Sequence, residues 1–187
     1  IRKVKDQTDK PFGVDLLLAQ GWPGQEEMVQ VIIEEGVPVF ASGLGSPAPY
    51  AEAMHAAGLT IMAVFGTVRH ATRVVEGGTD IVIAQGTEGG GHTGRIATMA
   101  LVPQVVDAVA PVPVVAAGGI ADGRGLVAAL ALGACGVWVG TRFVATKEAF
   151  SHQNYKMKIV EATEESTQVT KSFTGKDCRV IKNRYVE

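Results

Sequence analysis

Short apolar runs recur along the chain at 12–18, 38–42, 60–64, 80–84, 112–117 and 136–140. Each is apolar on both faces rather than alternating, as strands of a parallel sheet covered by helices are. Between them the spacing lengthens to three and four. Met28, Val31, Ile32 and Glu35 mark a helix over 26–35, and similar patterns predict helices over 48–57, 68–76, 98–109 and 123–132. Gly36, Gly58, Gly77 and Gly133 follow these runs, where a helix favours a left-handed residue to stop on.

Strand and helix thus alternate along the whole chain, the signature of a parallel α/β protein. A doubly wound open sheet and a closed barrel both satisfy that pattern. Glycine-rich loops follow several different strands, and the last two strands both end in loops of phosphate-binding type. An open sheet gathers its ligand at one switch point, whereas a barrel gathers it from many strand ends at one face. The expectation is an α/β fold of the (β/α)8 TIM-barrel kind. Eight units take ~250 residues, and the chain has 187. It opens at Ile1 in a basic stretch that reads like a helix end. The first two βα units are therefore expected to be absent from this chain. Residues 1–187 read as a single, N-terminally incomplete domain with a polar tail over 161–187.

Composition narrows the function classes. Hydrophobic residues make up 47% of the chain, enough for one sizeable core. The formal net charge is -2 with Lys and Arg scattered, so nothing points to DNA or RNA as a partner. No apolar run approaches a membrane span and no signal peptide opens the chain. Cys135 and Cys178 are far apart and lack CxxC spacing, which suits a reducing cytoplasm and gives neither a disulfide framework nor a metal site.

Three loops carry the candidate chemistry. The first, 85–95, follows the strand at 80–84 and holds five glycines around one imidazole, His92. Glycine lets the backbone approach a ligand closely, and a neutral His at a strand's carboxyl end can take a proton near neutral pH. A surface imidazole is the plainer alternative; glycine density and strand-end position favour the base. No second His, Cys or Asp lies at ligand spacing, so no metal is assigned. The second loop holds Ala117, Gly118 and Gly119, and the third Gly140 and Thr141. Each exposes backbone N–H groups where a helix begins, a position that suits phosphate. Asp122 reads as a helix cap and Glu26-Glu27 as charges at a helix N-terminus. Trp138 and Cys135 read as core, and His55, His70 and His152 as surface. Glu88 fits either a partner of His92 or substrate, or an exposed loop acid.

These segments, Gly90-Gly91-His92-Thr93-Gly94, 117–123 and 139–143, resemble the nitronate monooxygenase (2-nitropropane dioxygenase) family and the related FMN-dependent enoyl-acyl-carrier-protein reductases. The resemblance runs nearly end to end, from Pro11 onward. It implies an FMN-dependent oxidoreductase on a flavin-binding barrel. Gly118, Gly119, Gly140 and Thr141 would hold the cofactor phosphate. Gln85, Gly90 and Gly91 would lie beside the flavin ring or its ribityl chain. His92 matches the family's catalytic base, which removes the proton α to a nitro group. The implied substrate is a small molecule: an alkyl nitronate oxidised with molecular oxygen or, alternatively, an enoyl thioester reduced with NAD(P)H. A homo-oligomer is compatible with this reading. Two departures stand out. Asp15 replaces the Asn of many relatives. The stretch Ala63-Val64-Phe65-Gly66 lacks the Lys of a monooxygenase subset and is closer to the reductases.

Overall fold

Strand order decides between the two architectures. The computed structural model describes residues 1–18 and 22–186. Its elements run α1 (Arg2–Lys5), β1 (Gly13–Leu17), α2 (Gln25–Glu34) and β2 (Val39–Leu44), then a 3-10 turn (Ala48–Tyr50) leading into α3 (Ala51–Ala56). Next come β3 (Thr60–Phe65), α4 (Val68–Glu76), β4 (Ile81–Gln85), β5 (Gly91–His92), α5 (Thr98–Val109) and β6 (Val114–Ala117). The chain closes with α6 (Gly123–Ala131), β7 (Gly136–Trp138), α7 (Thr141–Val144), α8 (Gln153–Glu161), β8 (Thr167–Thr170) and β9 (Cys178–Ile181). The large sheet has the order β1-β2-β3-β4-β6-β7, every pair parallel. Each strand lies beside its predecessor, with no reversal. A doubly wound sheet reverses at its switch point, so this is the winding of a barrel, seen here as a six-stranded half-barrel.

The two faces of the sheet bury different side chains because side chains alternate along a strand. On the helix side, Phe40 of β2 and Ile61 of β3 pack with Val29 and Ile32 of α2 and Met54 of α3. Farther along, Val82 and Ala84 of β4 and Val114 and Ala116 of β6 pack with Leu101, Val102 and Val105 of α5. Phe40 is fully buried, so Phe40→Ala there costs about 3–5 kcal/mol. On the inner face, Ala41, Met62, Ile83 and Ala117 form a smaller cluster with Val39, Val64, Ile81 and Val115. Among the described residues no helix is long and apolar enough to cross a membrane.

The structure revises four readings. Gly36, Gly58 and Gly133 are left-handed as expected, but Gly77 has φ -87° and the left-handed residue after α4 is Gly78 at φ 92°. Trp138 was read as core but is 38% exposed, and Cys135 is exposed too. In the half-barrel the inner face at β7, an edge strand, meets solvent, which leaves the indole uncovered. Residues 161–187, read as a polar tail, contribute the hairpin β8–β9 (Glu187 itself lies outside the described residues). β9 pairs antiparallel with β5, giving a second sheet of order β5-β9-β8 that folds the chain's end over the His92 loop. His70, read as a surface residue, lines a cavity.

Candidate active site

A loop with five glycines is held in one shape by bonds from both sides. Gly86 N–H donates to Ala117 O at 2.9 Å and Thr87 N–H to Ile96 O at 2.8 Å. The Gln85 side-chain amide donates to His92 O at 2.8 Å, and Thr93 Oγ1 to Gly86 O at 3.1 Å. From the hairpin side, Thr93 N–H donates to Asp177 O at 3.1 Å, and Arg179 Nε donates to Thr87 O at 2.8 Å. Arg95 Nε and Asp177 Oδ2 form an ion pair at 2.9 Å. The Arg95 guanidinium, with Lys171 nearby, holds the Asp177 carboxyl below the usual carboxylate range. Glu88 is the N-cap group of α5: its carboxylate accepts from Thr98 N and Oγ1 at 3.0 and 2.9 Å. Among the described residues its carboxylate has no hydrogen bond to His92, so its part is to pin the loop to the helix.

His92 sits half-buried at the end of this loop, paired in register with Cys178. Its Nε2 lies 2.8 Å from Thr174 Oγ1 in the hairpin turn. Burial pushes the Cys178 thiol above its ordinary range, which makes it a packing group rather than a nucleophile.

The glycine loops after β6 and β7 converge on the same place. Gly118 and Gly119 are both left-handed, at φ 99° and 72°. A Cβ on Gly118 would come 2.8 Å from Gly86 O, one on Gly119 3.1 Å from Glu88 Cβ, and one on Gly90 2.5 Å from Thr141 Oγ1. The loops after β4, β6 and β7 thus touch through positions that have no side chain. Among the described residues, the amide N–H groups of Gly118, Gly119, Gly140 and Thr141 donate to no protein acceptor. The expected helix dipole contributes little, however. α7 is a single turn, and the Arg124 amide in the first turn of α6 is taken by Asp122, which caps it from 2.9 Å.

A cavity of about 510 Å³ opens on the other side of the β4 loop. Gln85 and His92 line it, together with Gly43 at the end of β2, Val64 and Phe65 at the end of β3, Thr67 and His70 at the start of α4, and Lys171, Lys176 and Asp177 of the hairpin. The cavity therefore gathers the carboxyl ends of β2, β3 and β4, where barrel enzymes carry their chemistry. Gly118, Gly119, Gly140 and Thr141 are outside its wall, on the far flank of the same loop. Ala117 and Gln85 are register partners and join the two halves. Asp15 lies on β1 behind Gly43; burial pushes its carboxyl up, and the backbone at Gly43 and Leu16 pulls it part of the way back.

The hairpin residues and His70 escaped the sequence reading. Thr167, Val169, Val180 and Ile181 around the turn at 171–177 do carry a strand–turn–strand signal, but polar neighbours mask it.

A singly wound half-barrel with a glycine-flanked imidazole and paired glycine loops at its strand ends defines a class of ligand-binding α/β proteins. Within it, the chain matches the nitronate monooxygenase family model over residues 1–187 and belongs to that family, whose members are oxidoreductases. It is 42% identical over 189 residues to the (3aS,4S,5R,7aS)-5-hydroxy-7a-methyl-1-oxo-octahydro-1H-indene-4-carboxyl-CoA dehydrogenase of Mycobacterium tuberculosis, covering 100% of this chain and 53% of that protein. Its fold is similar to FabK from Thermotoga maritima, with TM-score 0.92 and 43% identity over 99% of this chain and 58% of that one. It is also similar to the nitroalkane oxidase of Streptomyces ansochromogenes, with TM-score 0.89 and 30% identity over 98% of this chain and 65% of that one. The chain spans about half the length of the curated relatives it matches.

Proposed function

We propose that this chain is the flavin-binding part of a (β/α)8-barrel enzyme that uses FMN to oxidise alkyl nitronates with molecular oxygen. The observation that carries the reading is the position of His92. It is a half-buried imidazole on β5, in the loop that follows β4, on the wall of a cavity of about 510 Å³ and flanked by glycines. The six strands are then six of the barrel's eight, the other two belonging to the longer protein.

The residues present fit FMN. Gly118, Gly119, Gly140 and Thr141 offer backbone amides without protein acceptors, and a Cβ at Gly118 or Gly90 would collide with a neighbouring loop. These four would hold the phosphate, with Gln85, Gly90, Gly91 and Ala117 nearer the ring system. FMN, when bound, supplies the redox chemistry. The chain's own residues supply position and proton transfer. Gln85 fixes the His92 backbone and Thr174 meets its Nε2. His92 takes the α-proton of a neutral nitroalkane and holds it on the imidazole. A preformed nitronate arrives without that proton and bypasses the step.

A second reading, reduction of an enoyl thioester by NAD(P)H, is favoured by Val64, an apolar residue of the cavity wall. It is also supported by the likeness to FabK. The deciding experiment uses the full-length, FMN-loaded protein. Oxygen uptake with propyl-2-nitronate supports the first reading; NADH or NADPH oxidation that depends on an enoyl thioester, without nitronate turnover, replaces it with the second.

A further inference from the structure

Two imidazoles line the cavity, and only one of them has been given a task. Most polar side chains of its wall are spoken for within the protein. Gln85 donates to His92 O, Thr93 to Gly86 O, and Thr67 Oγ1 accepts from His70 N at 3.3 Å as the cap of α4. Asp177 is paired with Arg95, and Lys171 Nζ lies 4.0 Å from the same carboxylate. Lys176 is exposed at the cavity rim. The His70 ring is half-buried, and among the described residues its nitrogens have no hydrogen-bond partner. Phe65 meets it edge-on at 6.1 Å and 61°, which fixes the ring plane.

The loop that follows β3 and the loop that carries His92 are also locked together. A Cβ on Gly66 would fall 3.1 Å from Gly94 Cα, and one on Gly94 3.1 Å from Gly66 O. Gly66 stands four positions before His70 and Gly94 two positions after His92, so this backbone contact holds the two histidine-bearing segments side by side at one rim.

We propose that His70 is a second substrate-contacting residue: its ring N–H donates to the substrate oxygens on which negative charge develops as His92 removes the α-proton. The inference rests on the reading of His92 as base. A half-buried donor aimed at developing oxyanion charge acts on the step itself, not only on binding. The chemistry recognised is a planar, delocalised oxyanion, whether the nitronate that forms as a nitroalkane loses its α-proton or the enolate that forms as hydride from NAD(P)H adds to an enoyl thioester.

The test uses full-length, FMN-loaded protein and nitrate, a planar anion whose oxygens mimic those of a nitronate, followed by perturbation of the flavin absorption bands. His70→Phe keeps a flat ring and removes the donor, while His70→Gln keeps an N–H. Nitrate affinity per bound flavin is expected to fall about tenfold to a hundredfold in His70→Phe and to stay within a few-fold in His70→Gln. His92→Ala is expected to bind nitrate normally while losing turnover of neutral nitroalkanes, which separates this inference from the one beneath it. In kinetics, His70→Phe lowers kcat with nitroalkane if the contact is to the nitro group, and with enoyl thioester if it is to the carbonyl. Unchanged nitrate affinity in His70→Phe, or loss of nitrate only in His92→Ala, overturns the proposal.

Discussion

His92 Nε2 and Thr174 Oγ1 stand 2.8 Å apart, although 82 positions separate the two residues in the chain. The contact exists because β9 pairs with β5 and carries the hairpin turn over the glycine loop. A hydroxyl can donate or accept, so it meets either tautomer of the imidazole; what it fixes is the orientation of the ring on the cavity wall. Thr174→Val keeps the shape and removes the hydroxyl. A hydrogen bond of this kind contributes about 0.5–1.5 kcal/mol, so kcat/KM for a neutral nitroalkane is expected to fall about twofold to tenfold. Thr174→Ser should restore it. Because Thr174 is exposed, the melting temperature and flavin content should not move. Kinetics identical to wild type in the Val variant would show that the hydroxyl does not orient the base.

His92 itself makes a sharper prediction. A positioned general base contributes about 10²–10⁴-fold to proton removal, so His92→Ala should lose that factor in kcat with neutral nitroalkane. The same variant should keep its flavin, since the free amides of Gly118, Gly119 and Gly140 lie on the opposite flank of the loop. With preformed nitronate the loss should be much smaller. Equal losses on both substrates, measured as oxygen uptake per bound flavin, would remove proton abstraction from the role of His92.

The parts of this molecule that sequence made legible share one property: their physical cause is local. Helices at 68–76 and 98–109 match the structure at both ends. Each has its apolar stripe, and the first has its cap, within its own run of residues. The six parallel strands were visible for the same reason, as apolar runs between helices. What stayed hidden depends on distant parts of the chain. The hairpin β8–β9 is polar because it covers a loop instead of filling a core, so its alternation is weak and its partner, Gly91-His92, lies far away in sequence. His70 looks like a solvent residue of α4; only the position of Phe65 and the Gly66–Gly94 contact turn it toward the cavity. Trp138 misled in the opposite direction, since its apolar neighbours imply burial and only the open inner face at β7 exposes it.

Asp15 predicts a pH dependence of stability. Burial against the β2 end raises its carboxyl above the ordinary value of 3.8. The native state therefore holds that proton to higher pH than the unfolded chain does. Stability from this group is present below the unfolded value and is lost as pH rises through the folded one. Asp15→Asn removes the titration. Its melting temperature should exceed that of wild type at neutral pH, and the advantage should vanish at about pH 3, where both carboxyls are neutral. The side chain is more than one-third exposed, so the effect should be small. A variant less stable than wild type at neutral pH would mean that the ionised carboxylate is bound, not merely tolerated.

Gly118 and Gly140 allow the proposed phosphate site to be separated from the fold that carries it. Gly118 has φ 99°, and a Cβ there would lie 2.8 Å from Gly86 O and 3.0 Å from Thr98 Oγ1. Gly118→Ala therefore pays for backbone strain and collision together, and should destabilise the protein by about 1–3 kcal/mol. Gly140 has φ -105°, which any residue adopts, and a Cβ there has nothing within 4 Å. Gly140→Ala should therefore fold as wild type does, with stability changed by no more than about 0.5 kcal/mol. Its methyl group would, however, stand beside an amide that no protein acceptor uses. If that amide holds the FMN phosphate, flavin affinity should weaken in Gly140→Ala while the melting temperature of the flavin-free protein does not change. Equilibrium dialysis against free FMN and thermal melts of the apo-protein read the two quantities independently. Normal flavin affinity in Gly140→Ala would move the phosphate away from the β7 loop and leave Gly118-Gly119 to carry it alone.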